Sequence, residues 1–194
     1  LRSPPMNSVD LAADVAAIRA SMARILMPGQ QTELRVIHAN KTITSSHFTD
    51  VDELSRAAAT ASDSGAYGVY FTPNPIAEDR ATYLATHRKA TKDEDIDSSR
   101  WLLLDFDWDD RPKPSSATDH ERHAIRILRD EVESFLASLQ WPAPLQGDSG
   151  NGSHLMYRVE GAHSHLLKDV TNTLADLFDN DSVSIDRKVY NPST

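Results

Sequence analysis

The sequence predicts an α+β fold, with a mixed, mostly antiparallel sheet flanked by helices. Apolar residues recur at helical spacing in some segments and alternate with polar residues in others. The two kinds of segment follow each other without the strict strand–helix alternation that builds a parallel sheet. Some strand-like segments also succeed one another across short links, which suits hairpins.

The elements follow in order. Val9 to Leu26 is alanine-rich, with Leu11, Val15, Ile18 and Met22 at helical spacing, and "MPGQ" stops the helix. "TELRVIHAN" reads as a strand, and the polar segment after it is placed to pair with it. Asp50 and Glu53 form a capping box for a helix over "VDELSRAAATAS", closed before Gly65. "GVYFT" is a β-branched and aromatic strand that "PNP" breaks. A short helix is expected over "IAEDRATYLATH", then the strand "WLLLDFD" and a proline-containing loop, "DDRPKPSS". Thr118 and Glu121 give a second capping box, opening an amphipathic helix that runs to the region of Leu139. "SHLMYRVE" alternates like a strand, "SHLLKDVTNTLADLF" has helical spacing, and "SVSIDRKVY" alternates again.

A chain of 194 residues suits one domain with a sizeable core. Its 39% hydrophobic and 25% charged residues are ordinary for a soluble globular protein. No apolar run is long enough to span a membrane, and no signal-peptide pattern is present. Without cysteine there is neither a disulfide nor a thiolate zinc site, which is compatible with a reducing, cytoplasmic setting. The opening "LRSPPMN" reads as an expression remnant before a native start at Met6, so residues 1–6 are set outside the fold. A net charge of −9 argues against a general polyanion binder. It leaves room for local basic patches, and basic residues bunch in "THRKATK" and "DRKVY".

Three places could carry chemistry. In "WLLLDFDWDD", Asp105 and Asp107 share one face of a strand with Trp101 and Leu103, while Leu102, Leu104 and Phe106 take the other. Two carboxylates side by side repel unless a cation lies between them, and Mg²⁺ or Mn²⁺ favours such hard oxygen ligands. A solvated strand end is the plainer alternative. In "DSGNGSH", Gly150 and Gly152 allow a turn whose N–H groups could cradle phosphate. His154 opens the next strand with Met156 and Arg158 on its face, so His154 and Arg158 could flank one ligand. The alternative is a simple hairpin turn, for which Asp, Ser, Gly and Asn are the usual residues. The third place is Asp186, which shares a strand face with Ser184 and whose value depends on the other two sites. His120, His123, His163 and His165 lack further partners at fixed spacing and read as surface residues. There is no Walker-type phosphate loop, no HExxH and no GxSxG.

Taken together, "WLLLDFDWDD", "DSGNGSHLMYRV" and "VSIDRKVYNP" resemble the three ordered motifs of the archaeo-eukaryotic primase superfamily. The likeness is to the bifunctional primase-polymerase domains of plasmids, phages and mobile elements. Upstream, "GVYFTPNP" and "KATKDEDI" look like that family's lead-in, so the likeness covers about residues 67 to 192. It implies a primase-polymerase catalytic core with an RRM-like element, occupying residues 7–194 as a single domain and a fragment of a longer protein. By residue, it implies that Asp105, Asp107 and Asp186 are catalytic and bind Mg²⁺ or Mn²⁺. Ser149, Gly150, Asn151, Gly152, His154 and, on the strand face, Arg158 would bind the nucleotide. The partners implied are a DNA template and primer, deoxy- or ribonucleoside triphosphates, and a helicase or other replication domain, with no membrane. In the family, a basic residue commonly follows "NP"; here Ser193 and Thr194 follow. No zinc-binding segment or helical priming domain is present, which favours nucleotide addition over de novo priming. Two alternatives stand beside this: a replication-associated binding module with little activity alone, and an unrelated transferase holding a nucleotide-sugar through DxD. The latter leaves Asp186 and the glycine-rich turn unexplained.

Overall fold

A computed structural model describes residues 8–112, 115–189 and 191–193. The remnant assigned to residues 1–6 lies outside them. The fold is α+β with antiparallel strands, as the sequence leads one to expect, and the described strands form two sheets, both wholly antiparallel, in place of a single mixed, mostly antiparallel one. The chain divides into two compact units, the first running to Asp97 and the second from Ser98.

The first unit contains α1 (Ser8–Ile25), β1 (Thr32–Ile37), β2 (Ile43–Phe48), α2 (Val51–Asp63), β3 (Gly68–Phe71) and α3 (Glu78–His87). Its sheet has the order β2-β1-β3. Asp50 caps α2, its Oδ1 accepting the amides of Asp52 and Glu53. Alternation along β1 sends Leu34 and Val36 into a core with Leu54 and Ala58 of α2 and Ile18 and Met22 of α1. The other face of β1 carries Glu33, which is fully buried. Burying a lone carboxylate would be costly, but every lone-pair direction here has a donor. Arg35 donates two bonds of 2.9 Å, Ser45 one of 2.6 Å, and the Thr91 amide one of 2.8 Å. Burial opposes ionisation of Glu33, yet these donors together hold its carboxyl below the usual range. The cluster ties the segment around Thr91 down onto the sheet.

The second unit contains β4 (Ser99–Trp108), α4 (Asp119–Ser138), β5 (Leu145–Asp148), β6 (Ser153–Ala162), α5 (Ser164–Phe178) and β7 (Val183–Ile185). Its βαββαβ connectivity and strand order β5-β6-β4-β7 make it a split βαβ, ferredoxin-like sheet, the layout of an RRM-like element. Leu102, Leu104 and Phe106 of β4 point to one side, as the alternation requires. There they meet Leu155 and Tyr157 of β6 and Val183 and Ile185 of β7 under α4 and α5. Ile125, Leu128, Val132 and Leu136 form the inward stripe of α4 at helical spacing. Each fully buried leucine or phenylalanine of this layer contributes roughly 1.5–3 kcal/mol. The Thr118–Glu121 capping box is made in both directions. Two details differ from the sequence expectation. The last strand ends at Ile185, not at residue 190, and β5 was not anticipated, because "LQGD" is too short and polar to show a period.

Candidate functional site

The face of the second sheet opposite its helices gathers the acidic residues. Asp105 and Asp107 lie two apart on β4 and project to the same side. On one flank, β4 pairs with β6 so that Asp105 stands opposite His154. On the other flank, Asp107 stands opposite Ser184 of β7. One residue beyond β7, the Asp186 amide donates to the Asp105 carbonyl at 2.8 Å, continuing the ladder. Asp186 therefore sits beside Asp105 on the same face, although it is distant in sequence.

His154 Nε2 lies 3.0 Å from Asp105 Oδ1. That bond to Asp105 raises the His154 pKa against the opposing effect of burial, so the pairing favours the protonated imidazole. Asp107 is also shifted upward: burial of its carboxyl contributes most, and the negative charge of Asp105 next, with Asp186 adding to it. Arg111 and His154 offset part of this. The residue is exposed overall, so the penalty is a partial one. Asp186 Oδ1 accepts the Lys188 amide at 2.9 Å, which closes the turn after β7. Asp109 Oδ1 accepts the Ser184 hydroxyl at 2.6 Å.

The turn between β5 and β6 carries the remaining expected residues. Gly150 has φ +81°, the left-handed conformation that glycine adopts freely. Gly152 is needed for a different reason: a Cβ there would lie 2.6 Å from the Phe106 carbonyl oxygen and 2.7 Å from Asp107 Oδ1. The turn's N–H groups are largely used within the hairpin. Gly150 donates to Asp148 Oδ1, Gly152 to Ser149 Oγ, and Ser149 to the Gly152 carbonyl. Asn151 is anchored twice, its side-chain oxygen accepting the Ala117 amide and its carbonyl accepting Arg111. Arg158 is not brought to the acids. Its partner on β4 is Trp101, four residues before Asp105, which is about 13 Å along the strand. Its guanidinium is 3.9 Å from Glu160.

Sequence reasoning missed Arg111. Its side chain is only 11% exposed, it grips the turn, and its charge acts on Asp107. The one available signal was a lone arginine inside the acidic run "DFDWDDRP".

The donor chemistry of Asp105, Asp107 and Asp186 suits a hard divalent cation, which would relieve their mutual repulsion. Among the described residues, no three His, Asp or Glu side chains stand within reach of one ion. No family model, curated protein or solved structure matches the chain. Among the described residues, no helix is long and apolar enough to cross a membrane.

The shift on Asp107 has a definite sign. A folded carboxyl whose pKa is raised binds protons more readily than the unfolded one, so its ionisation destabilises the fold. The penalty is absent below the ordinary value of 3.8 and grows as pH rises through the raised value. Asp107→Asn is therefore expected to melt higher than the parent at pH 7 in a chelating buffer, with the difference gone near pH 3. Thermal unfolding at both pH values measures this, and an equal or lower midpoint at pH 7 would refute the penalty from burial and repulsion together. His154 works the other way: its stabilisation is complete below 6.5 and is lost as pH rises through its raised value.

Proposed function

We infer that this chain is a metal-dependent, template-directed nucleotidyltransferase, a DNA primase-polymerase domain that adds nucleotides to a primer 3′-end. The observation that carries this is the meeting of Asp105, Asp107 and Asp186 on one sheet face beside His154. Phosphoryl transfer asks the protein for positioning and charge neutralisation more than for covalent chemistry. A Mg²⁺ or Mn²⁺ ion held by these carboxylates would supply that neutralisation for the triphosphate and its pyrophosphate leaving group.

The chain's own residues do the rest. Rigid β4 keeps two carboxylates at fixed spacing, and the ladder to β7 adds the third. His154 carries a proton that a phosphate oxygen can accept once Asp105 turns from the imidazole to a cation. Arg111 adds positive charge behind the turn. Its substrates would be a primed DNA template and nucleoside triphosphates, with a helicase or other replication domain as partner. The cytoplasm is the expected setting, since a chain without cysteine needs no oxidising compartment.

A second reading has one observation in its favour. The amides of Ser149, Gly150 and Gly152 are spent within the hairpin, so a binding module with little activity alone would need no rearrangement there. Incubating the protein with labelled nucleotides, Mn²⁺ and a primed template separates the two. Primer extension is expected; a folded protein that binds Mn²⁺ but extends nothing would leave the binding module. Within the first reading, His154→Ala should weaken nucleotide binding roughly ten- to a hundred-fold, the worth of a hydrogen bond to a charged group. Nucleotide titration with thermal unfolding alongside checks it. Parent-like affinity in a folded His154→Ala protein would reduce the turn to a hairpin.

A further inference from the structure

We propose that the face of the first sheet opposite α1 and α2 binds a single strand of nucleic acid, with the Tyr70 ring as a stacking platform for a base. This goes beyond the nucleotidyltransferase reading, because it needs neither metal nor nucleotide and lies wholly within the first unit. The register puts Tyr70 directly opposite Arg35 and puts Gly68 opposite Ile37, all on the face away from Leu34 and Val36.

Tyr70 is 55% exposed, yet its ring does not stand off into water. It lies along its own strand over Gly68: a Cβ on that glycine would fall 2.5 Å from Cε2 and 3.0 Å from Cζ of the ring. The outer end of the ring is thus held close over bare backbone, while more than half of the residue's surface stays open to solvent. A flat, supported aromatic surface on a sheet is what an unpaired base stacks on, and stacking tolerates any base because each has a π-face.

Cations flank the platform. In the turn joining β1 to β2, the Lys41 ammonium sits 3.3 Å above the centre of the Tyr67 ring, itself 66% exposed. At the opposite end of β1, the basic run 86–92 is tied to the sheet through Thr91, whose amide and carbonyl bind Glu33 and Arg35. Arg88 and Lys89 in that run are exposed. The one carboxylate on this face of β1, Glu33, is buried and neutralised by Arg35, so it does not repel a phosphate chain. Exposed aromatic surface between a lysine and a basic run fits a polyanion with unstacked bases, since the aromatic rings offer the bases a stacking surface as well as the phosphates a positive field.

The test is fluorescence anisotropy of labelled oligodeoxythymidine and oligouridine at low salt, with chelator and no nucleotide, against a duplex of the same length. The parent is expected to bind at least one single strand more tightly than the duplex, with affinity falling as salt rises. Tyr70→Ala should weaken that binding about five- to 150-fold. Tyr70→Phe should restore it, since stacking does not use the hydroxyl. Gly68→Ala should weaken it too, by lifting the ring while keeping every aromatic. Thermal unfolding confirms that each variant is folded. The proposal is overturned if the parent prefers duplex or binds neither strand, or if folded Tyr70→Ala binds like the parent, the ring then serving only to cover Gly68. Because chelator is present throughout, failure here leaves the acidic site of the second unit untouched, and failure of primer extension leaves this surface untouched.

Discussion

Replacing Asp105 and Asp107 together with asparagine is expected to abolish primer extension and leave the second sheet folded. Both side chains lie on the face away from the core, so the substitution removes charge without opening a cavity. Loss of a single preorganised electrostatic stabiliser commonly costs on the order of 10²–10³ in rate, and this variant loses two. Repulsion among the acids also disappears, so the protein should melt no lower than the parent provided the His154–Asp105 bond contributes modestly at the surface. Extension of a primed template in Mn²⁺, with Mn²⁺ titration as a readout independent of turnover, measures both sides. Full incorporation by the double variant would remove the metal-site proposal. Lost incorporation with unchanged Mn²⁺ binding would move the cation elsewhere.

Gly152→Val is expected to be the most damaging single change in the turn. The constraint is close approach: the new Cβ would press on the Phe106 carbonyl, which belongs to a core strand and cannot rotate away. It would also meet the Asp107 carboxylate at 2.7 Å and push it off its position. Overpacking of this kind typically costs about 1–3 kcal/mol, and a β-branched side chain stands at the upper end. Gly150→Ala is the control, since nothing lies within 4 Å of a Cβ there and only its positive φ is strained. A lower melting midpoint with lost extension is expected for Gly152→Val, and a milder shift for Gly150→Ala. Equal effects at the two glycines would mean that the turn's flexibility, not the packing behind Asp107, is what matters.

Much of this architecture is written locally. The period of two in "WLLLDFD" states that Asp105 and Asp107 share a face and that Leu102, Leu104 and Phe106 share the other. Asp50 and Thr118 mark helix starts because a short oxygen-bearing side chain satisfies amides that the helix leaves free. Neither statement depends on what the strand or helix later touches.

Other features depend on partners far away in sequence. Nothing in "SVSIDRK" says that β7 pairs beside β4, yet that pairing alone puts Asp186 next to Asp105 and brings the three acids to one sheet face. Strand pairing likewise divided one expected sheet into two, and placed Arg158 opposite Trp101, four residues along β6 from His154. The two glycines of one motif were separated by it: Gly150 answers to its own backbone angle, Gly152 to a carbonyl on another strand. Side-chain period and capping are properties of neighbouring residues, so the sequence by itself determined the kind of each long element and its faces. Close contacts of this kind arise between residues 40 to 100 positions apart, and only the tertiary structure decided which carboxylates, which histidine and which arginine would stand together.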